Sequence, residues 1–429
     1  MEEIAKYLQG KGIDFSKDKH HAAAIAKGIE NIYLEPNQLY SAKEISKAES
    51  LEFASSFFHL LDTKFYPVMM SEWLYLLKKG GHMVLRFSED DPIKISRFKL
   101  DFALYLRHKV KLVYRHKQGL TYTYVFEKIL ENAYAEKSID KWTFGILTLG
   151  TRNEWVEQMI DSIIRQKIPE FEIIICGKYD LKRKEPFIRF VPSNDHLPRV
   201  TKKKNDVCRE AMYENICVLH DRVILDDGWF EGMLRFGNNW DYLGCIVTHQ
   251  GTRSYDYFTT GAPVYMTEFD RNRGALLYDD WDPYAVTNAG IFNVKKSAWE
   301  KTGGWNELDH YPGNDDMIFC ADLAANGFMP RFNPYSSANA LSFHALDLIY
   351  HKYDAKKLGP LTGPAFEQAY WKMMFGLHDL FIKVKPLSGV KNNAIWRLAS
   401  TTFKKARLKL LKKEYSNQSW SQKNKVDII

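Results

Sequence analysis

The sequence predicts an α/β protein built on a parallel sheet, and three observations predict it. Short apolar runs of strand length recur between residues 142 and 225: WTFGILT, FEIIICG and CVLHDRVIL. Helical stretches, NEWVEQMIDSIIRQKI and DVCREAMYENI, separate them. Loop signals such as LGTR and CGKYD follow the first two strands. Strand, helix, strand, helix, strand implies parallel pairing through right-handed crossovers. Ligands of such sheets sit beyond the carboxyl ends of the strands, which places LTLGTR, CGKYD and LHDR on one rim.

The elements before this stretch follow in order. SAKEISKAESLEFASSFFHLLDT is expected to be helical. SEWLYLLKKGGHMVLRFSED reads as a helix, a turn at Gly80-Gly81, then the strand HMVLRF. A further helix leads to KLVYRHKQG and LTYTYVFEKIL, two strands joined by a glycine-containing hairpin. ENAYAEKSIDK is polar and suits a linker. In the 142–225 stretch, Trp155, Met159, Ile160, Ile163 and Ile164 are expected to form the buried face of their helix. DDGWFEGM fits the start of the next helix, with Asp226 and Asp227 in a capping role. The segment from Gly251 to Asp282 is long and rich in aromatic and charged residues, which suits a functional loop shaping a binding site. From residue 351 the chain reads as helical and basic. FKKARLKLLKK carries no acidic residue, and the final Ser-, Gln-, Asn- and Lys-rich stretch is expected to be disordered.

Composition narrows the classes. The chain has 429 residues, 45% apolar and 26% charged, as in ordinary globular proteins, and its length suits two or three domains. A net charge of +7 suits an anionic ligand, a nucleic acid or a membrane surface, or merely reflects solvated lysines. No nucleic-acid motif accompanies it, so no nucleic-acid partner is expected. Five cysteines without a CxxC pair suggest buried, reduced thiols and a cytoplasmic setting. MEEIAKYLQGKG lacks the apolar core of a signal peptide, and no apolar run reaches spanning length. Membrane contact is therefore expected to be peripheral, at the inner face, through the basic C-terminal helices.

Four blocks in the second region resemble the inverting GT-A glycosyltransferases known as family two. They are TFGILTLGTRNEWVEQMIDSIIRQKIPEFEIIICG, KKNDVCREAMYENICVLHDR, NAGIFNVKKSAWEKTGGWNEL and GNDDMIFCADLAANGF. They match the family's opening strand and loop, its lysine-asparagine helix with the metal-motif strand, its glycine-rich segment, and its acidic helix. The match spans about half the chain, in order and spacing. It implies a GT-A, Rossmann-like nucleotide-diphospho-sugar transferase domain over 139–352, a smaller α/β module over 1–138, and a helical extension over 353–429.

The resemblance also implies a nucleotide-sugar donor, a glycan acceptor such as a surface polysaccharide, and a divalent metal, Mn or Mg. Thr148, Arg152, Lys204 and Asn205 fall at donor-binding positions. The family's DxD motif is altered to His220-Asp221-Arg222. Asp221 is then the metal-facing carboxylate and Arg222 a fixed charge near the phosphates; the alternative is a simple ion pair at a strand end. Gly177 and Lys178 stand where the family often carries an acidic residue, which leaves the nucleotide open. Asp316 matches the general base, and Asp315 would hold the acceptor or orient its loop; Asn314 or Asp315 as a helix cap is the structural alternative. His344 is a candidate metal ligand, with His351 as competitor. Gly304 and Trp305 fall at the acceptor side, where the indole could equally be core.

SEWLYLLKKGGHMVLRFSED resembles the late part of a class I methyltransferase. No glycine-rich loop precedes it. This implies a truncated, non-catalytic module for docking or assembly, through which an oligomer could form. Two alternatives to a polysaccharide enzyme remain: a GT-A-fold binding protein that has lost catalysis, and an enzyme that glycosylates modified DNA.

Overall fold

The computed structural model describes residues 2–18, 29–32, 41–180, 183, 185–192, 200–249, 252–253, 259–260, 281, 285–287, 290–307 and 315–341. The predicted C-terminal helices, His344, His351, Asn314 and most of the 251–282 segment lie outside them. The architecture is α/β, with two larger sheets.

The first sheet follows a short helix, α1 (Glu2–Ala5), and takes β1 (Gly12–Asp14), β2 (Glu30–Asn31), β3 (Leu51–Phe57), β4 (Leu77–Ser88), β5 (Val110–Gln118) and β6 (Thr121–Lys128). Their order is β2-β1-β3-β4-β6-β5, parallel from β2 to β4 and antiparallel beyond. Helices α2 (Tyr66–Leu76) and α3 (Ile95–Tyr105) connect its later strands. The hairpin prediction holds. The expected helix over LEFASSF does not, because that segment is the central strand β3. It is buried almost throughout, as a strand between parallel neighbours must be. Small Ala54, Ser55 and Ser56 fit that space, and only two single turns, Ala42–Glu44 and Leu60–Asp62, remain of the predicted helix. The turn predicted at Gly80-Gly81 between helix and strand does not form either, since β4 already begins at Leu77. Residues 78–81 form an irregularity within β4, where the register jumps from Leu51 opposite Leu77 to Phe53 opposite His82.

The second sheet contains β7 (Lys141–Thr148), β8 (Glu170–Gly177), β9 (Ile188–Pro192), β10 (Asn215–His220), β11 (Val223–Leu225), β12 (Tyr242–His249), β16 (Ile291–Lys295) and β17 (Pro330–Ala340), with β13 (Thr252–Arg253) pairing β12. β14 (Thr259–Thr260) and β15 (Ala285–Val286) pair apart from it. The order is β11-β17-β12-β16-β10-β7-β8-β9. β8, β7 and β10 run parallel, as expected; β9, which was not predicted, pairs parallel to β8, and β16 is antiparallel to β10.

Helices α4 (Asn153–Arg165), α5 (Val200–Glu210), α6 (Trp229–Phe236), α7 (Lys296–Thr302) and α8 (Asp315–Ala325) pack around this sheet. The buried face of α4 is Val156, Met159, Ile160, Ser162 and Ile163. Val156 replaces the predicted Trp155, which lies under the Arg152 guanidinium, 4.4 Å from ring centroid to Cζ. The cap predicted at Asp226-Asp227 also differs. Gly228 caps α6 without a side-chain hydrogen bond, Asp226 accepts from the Ser337 hydroxyl at 2.7 Å, and Asp227 faces Arg165 at 3.4 Å.

The sheets meet at a buried ion pair between Glu72 on α2 and Arg331 on β17. Asn239 adds a 2.8 Å hydrogen bond to the same carboxylate. Among the described residues no helix is long and apolar enough to cross a membrane, and all five cysteines are buried and free.

Candidate active site

β7, β8 and β10 end at one edge because they run parallel, with Thr148 opposite Gly177 and His220 opposite Leu147. That edge is where an open α/β sheet binds ligands. Gly177 is required there. Its φ is +133°, and a Cβ would lie 1.9 Å from the Thr148 carbonyl oxygen, so no side chain fits. The close approach leaves that carbonyl to accept 2.8 Å from the buried Lys203 ammonium.

The predicted single strand CVLHDRVIL breaks at Asp221-Arg222. β10 ends at His220 in mid-sheet, and β11 starts at Val223 on the far edge beside β17. The two intervening residues thus lie at the rim by topology, Asp221 buried and Arg222 half-buried. The Asp221 N–H donates to the Leu147 carbonyl at 3.1 Å. Its Oδ2 accepts from the Thr148 hydroxyl at 3.0 Å, and its Oδ1 faces Arg152 Nη1 at 3.4 Å. Thr148 in turn accepts from the Gly150 N–H at 3.0 Å. Burial pushes the Asp221 carboxyl above its ordinary range, against the opposing pull of Arg152 and Thr148.

Arg152 stands at the N-terminus of α4, its carbonyl accepting from the Trp155 and Val156 N–H groups. Burial lowers its guanidinium, Asp221 opposes that, and nearby Arg222 repels it further. The Arg222 backbone is pinned between strands: its N–H donates to the His220 carbonyl and its carbonyl accepts from Leu341. Arg152 and Arg222 therefore both act on the Asp221 carboxylate, and Lys203 holds the Thr148 carbonyl beside them.

A second group lies behind α5. Lys204, 1% exposed, sets its Nζ 2.5 Å from Asp316 Oδ1 at the start of α8. The Trp305 indole N–H donates to the same oxygen at 3.2 Å, and the lysine sits 5.3 Å from that ring. Asp315 is the first residue of α8. Asn205 organises the preceding turn. Its amide donates to the Trp305 carbonyl at 2.7 Å, and its oxygen accepts from the Trp299 indole and the Trp305 N–H, both at 2.9 Å. Gly304 follows from that contact: at φ +77°, a Cβ would fall 2.4 Å from Trp299 Nε1 and 2.5 Å from Asn205 Oδ1. Trp305 is buried against Phe292 and Phe319.

Thr148, Arg152, Asp221 and Arg222 thus form one group at the rim, and Lys204, Asn205, Gly304, Trp305 and Asp316 form another. Consecutive lysines on α5 connect them. Lys203 was missed in the sequence because KKKND reads as solvated charge; only the burial of Thr201, Lys203, Lys204, Asn205, Val207 and Cys208 on the packed side of α5 reveals it. His220 was also passed over. Its Nε2 is buried without a hydrogen bond, and burial together with Lys204, Arg222, Arg152 and Lys203 holds the imidazole neutral.

The described donor set does not fit a divalent Mn or Mg ion. Such ions take several hard oxygen ligands. Among the described residues no three His, Cys, Asp or Glu side chains come together. Both Asp221 oxygens are engaged by Thr148 and Arg152. Strand alternation turns His220 with Val218 toward α5, away from the Asp221 side.

No family model and no curated protein matches the chain. Among solved structures it is similar to the "Crystal structure of S. aureus TarS", at 10% identity and a TM-score of 0.33. The likeness covers 59% of this chain and 46% of that one, so the match spans about half the length of the structure it resembles.

Proposed function

We propose that the second sheet carries a glycosyltransferase that moves a sugar from a nucleotide-sugar donor to a glycan hydroxyl, with inversion at the anomeric carbon. The observation that carries this reading is the cationic rim of Arg152, Arg222 and Lys203 at the carboxyl ends of β7, β8 and β10, with Asp316 set behind α5. A diphosphate leaving group needs fixed positive charge, and guanidiniums supply it with directional hydrogen bonds. Thr148 and Asp221 hold Arg152 in place.

Asp316 is the general base of this reading. The acceptor oxygen bonds to the anomeric carbon, its proton passes to the Asp316 carboxylate, and the bond to the phosphate oxygen breaks with its electron pair. Lys204 and Trp305 fix the carboxylate by converging on Oδ1. Asp315 would orient the acceptor loop. Mn or Mg use, with His344 as a ligand, is a separate matter for the metal dependence of the same reaction. The first sheet serves docking or assembly. In support, Asp14 at the carboxyl end of β1 is engaged by the Ser16 and Ser55 hydroxyls in an internal hydrogen-bond network.

The test is nucleotide released from a panel of nucleotide sugars, with candidate glycan acceptors, by wild type and Asp316→Asn. We expect turnover of one donor, a loss of about 10²- to 10⁴-fold in the variant, and unchanged donor affinity. One observation favours the binding-protein alternative: the Lys204–Asp316 pair is buried, so the expected base is already engaged. Nucleotide binding without release by any acceptor would select that alternative.

A further inference from the structure

Lys204 falls at a donor-binding position in the sequence, yet the fold turns it to Asp316. Resting on the glycosyltransferase reading, we propose that Lys204 is a positioning residue for Asp316 and not a donor contact: its ammonium keeps the base ionised inside the protein.

The geometry carries this assignment. Lys204 leaves α5 on its packed side, with Thr201, Asn205 and Val207. Its side chain is 2% exposed and that of Asp316 8%, and Nζ lies 2.5 Å from Oδ1. A carboxyl group buried alone keeps its proton and an ammonium buried alone sheds one, whereas a close pair holds both charged. The Trp305 indole N–H adds a second donor to the same oxygen at 3.2 Å. Asn205 is turned the same way, with its amide on the Trp305 carbonyl and its oxygen on the Trp305 N–H. The lysine-asparagine pair as a whole therefore serves the acidic end of the site. Lys203, one residue back, donates instead to the Thr148 carbonyl at the rim.

The other groups facing the pair come from three directions. His220 at the end of β10 is held neutral, by burial first and then by Lys204 among other cations. Cys320, one turn along α8, is held as a thiol, by burial first, with Asp316 adding to the effect. Phe292 of β16 and Phe319 of α8 pack on the Trp305 ring. Glu307, beyond Trp305, accepts from Asn205 and Arg209. Asp315 precedes Asp316 in the chain. In the transfer, the acceptor oxygen bonds to the anomeric carbon and the bond to the phosphate oxygen breaks with its electron pair. The acceptor's proton passes to Asp316, which a carboxyl already protonated could not accept. Lys204 keeps its own proton throughout.

Two measurements separate a donor contact from a positioning residue: calorimetry with uridine, guanosine, adenosine and thymidine diphosphates, and the pH profile of nucleotide release from the donor that is turned over. Lys204→Gln should bind the nucleoside diphosphate with a Kd within about twofold of wild type. Its acidic limb of kcat/KM should move up by about 1–3 pH units, so release falls about ten- to hundredfold near neutral pH and recovers as pH rises. Lys204→Arg keeps the charge and should hold the limb near its wild-type place. Trp305→Phe removes one donor but keeps a ring against Phe292 and Phe319, and should move the limb the same way by less than about one unit. That variant decides the direction should Lys204→Gln fail to fold. A Kd weakened about tenfold or more in Lys204→Gln, or a limb left in place, overturns the inference and leaves the glycosyltransferase reading standing. Wild type that releases no nucleotide from any donor, whether or not it binds one, overturns both.

Discussion

Each large sheet buries an aspartate at the carboxyl end of a parallel strand, and the two are put to different use. Asp14 ends β1 and is 0% exposed. It accepts from the Ser55 hydroxyl at 2.7 Å, the Ser16 hydroxyl at 2.8 Å and the Asn31 amide at 2.9 Å, all neutral groups. Asp221 follows β10 and meets one hydroxyl and one guanidinium, with more cations beyond. Burial raises both carboxyls. The first network is made of neutral donors only; the second draws a guanidinium onto the carboxylate. Position in a parallel sheet therefore nominates a site, and the charge of the surrounding donors tells the two ends apart.

Three variants can break or sharpen that contrast. The largest effect on stability should come from Lys204→Met, which leaves the buried Asp316 without its ammonium. A cost of about 3–5 kcal/mol in urea unfolding is expected. A loss well under 1 kcal/mol would mean the pair is not buried as described.

Asp14→Ala should cost about 2–4 kcal/mol, because Ser16, Ser55 and Asn31 lose their common acceptor. Nucleoside diphosphate affinity, measured on the folded fraction, should stay unchanged. Loss of binding with the fold intact would erase the distinction between the two aspartates.

The smallest effect concerns neither rim. Lys295 is 0% exposed at the opposite end of the second sheet, held by Asn215 at 2.5 Å and lying 3.9 Å from the Trp240 ring. Burial pushes it down to about 7 from an ordinary 10.5. Between those values the unfolded chain carries the proton and the folded chain does not. Stability should therefore rise with pH across this window, by roughly 1–3 kcal/mol between pH 7 and 9. Lys295→Met should flatten that slope in denaturation curves at the two pH values. An equal slope in both proteins would show the folded lysine to be charged.

Much of the fold was legible because strands buried on both faces are written as continuous apolar runs. FEIIICG and WTFGILT became β8 and β7, and the hairpin of β5 and β6 followed from its glycine turn. LEFASSF misled because its serines and alanine suit a helix as readily as a tightly flanked strand. Of the site, Thr148, Arg152, Asp221 and Arg222 were legible through motif order, and their gathering at one rim follows from parallel pairing. Lys203 was not legible, since nothing local distinguishes a buried lysine in KKKND from a solvated one.

The sequence alone therefore determined that β7, β8 and β10 run parallel and which polar residues follow them, because periodicity and loop chemistry are local. Only the tertiary structure decided that β10 and β11 part at Asp221-Arg222, that Trp305 and Gly304 pack on Asn205, and that Lys204 faces Asp316. Those contacts join residues from 11 to 112 positions apart. Their partners are chosen by the packing of helices against the sheet, which no local pattern encodes.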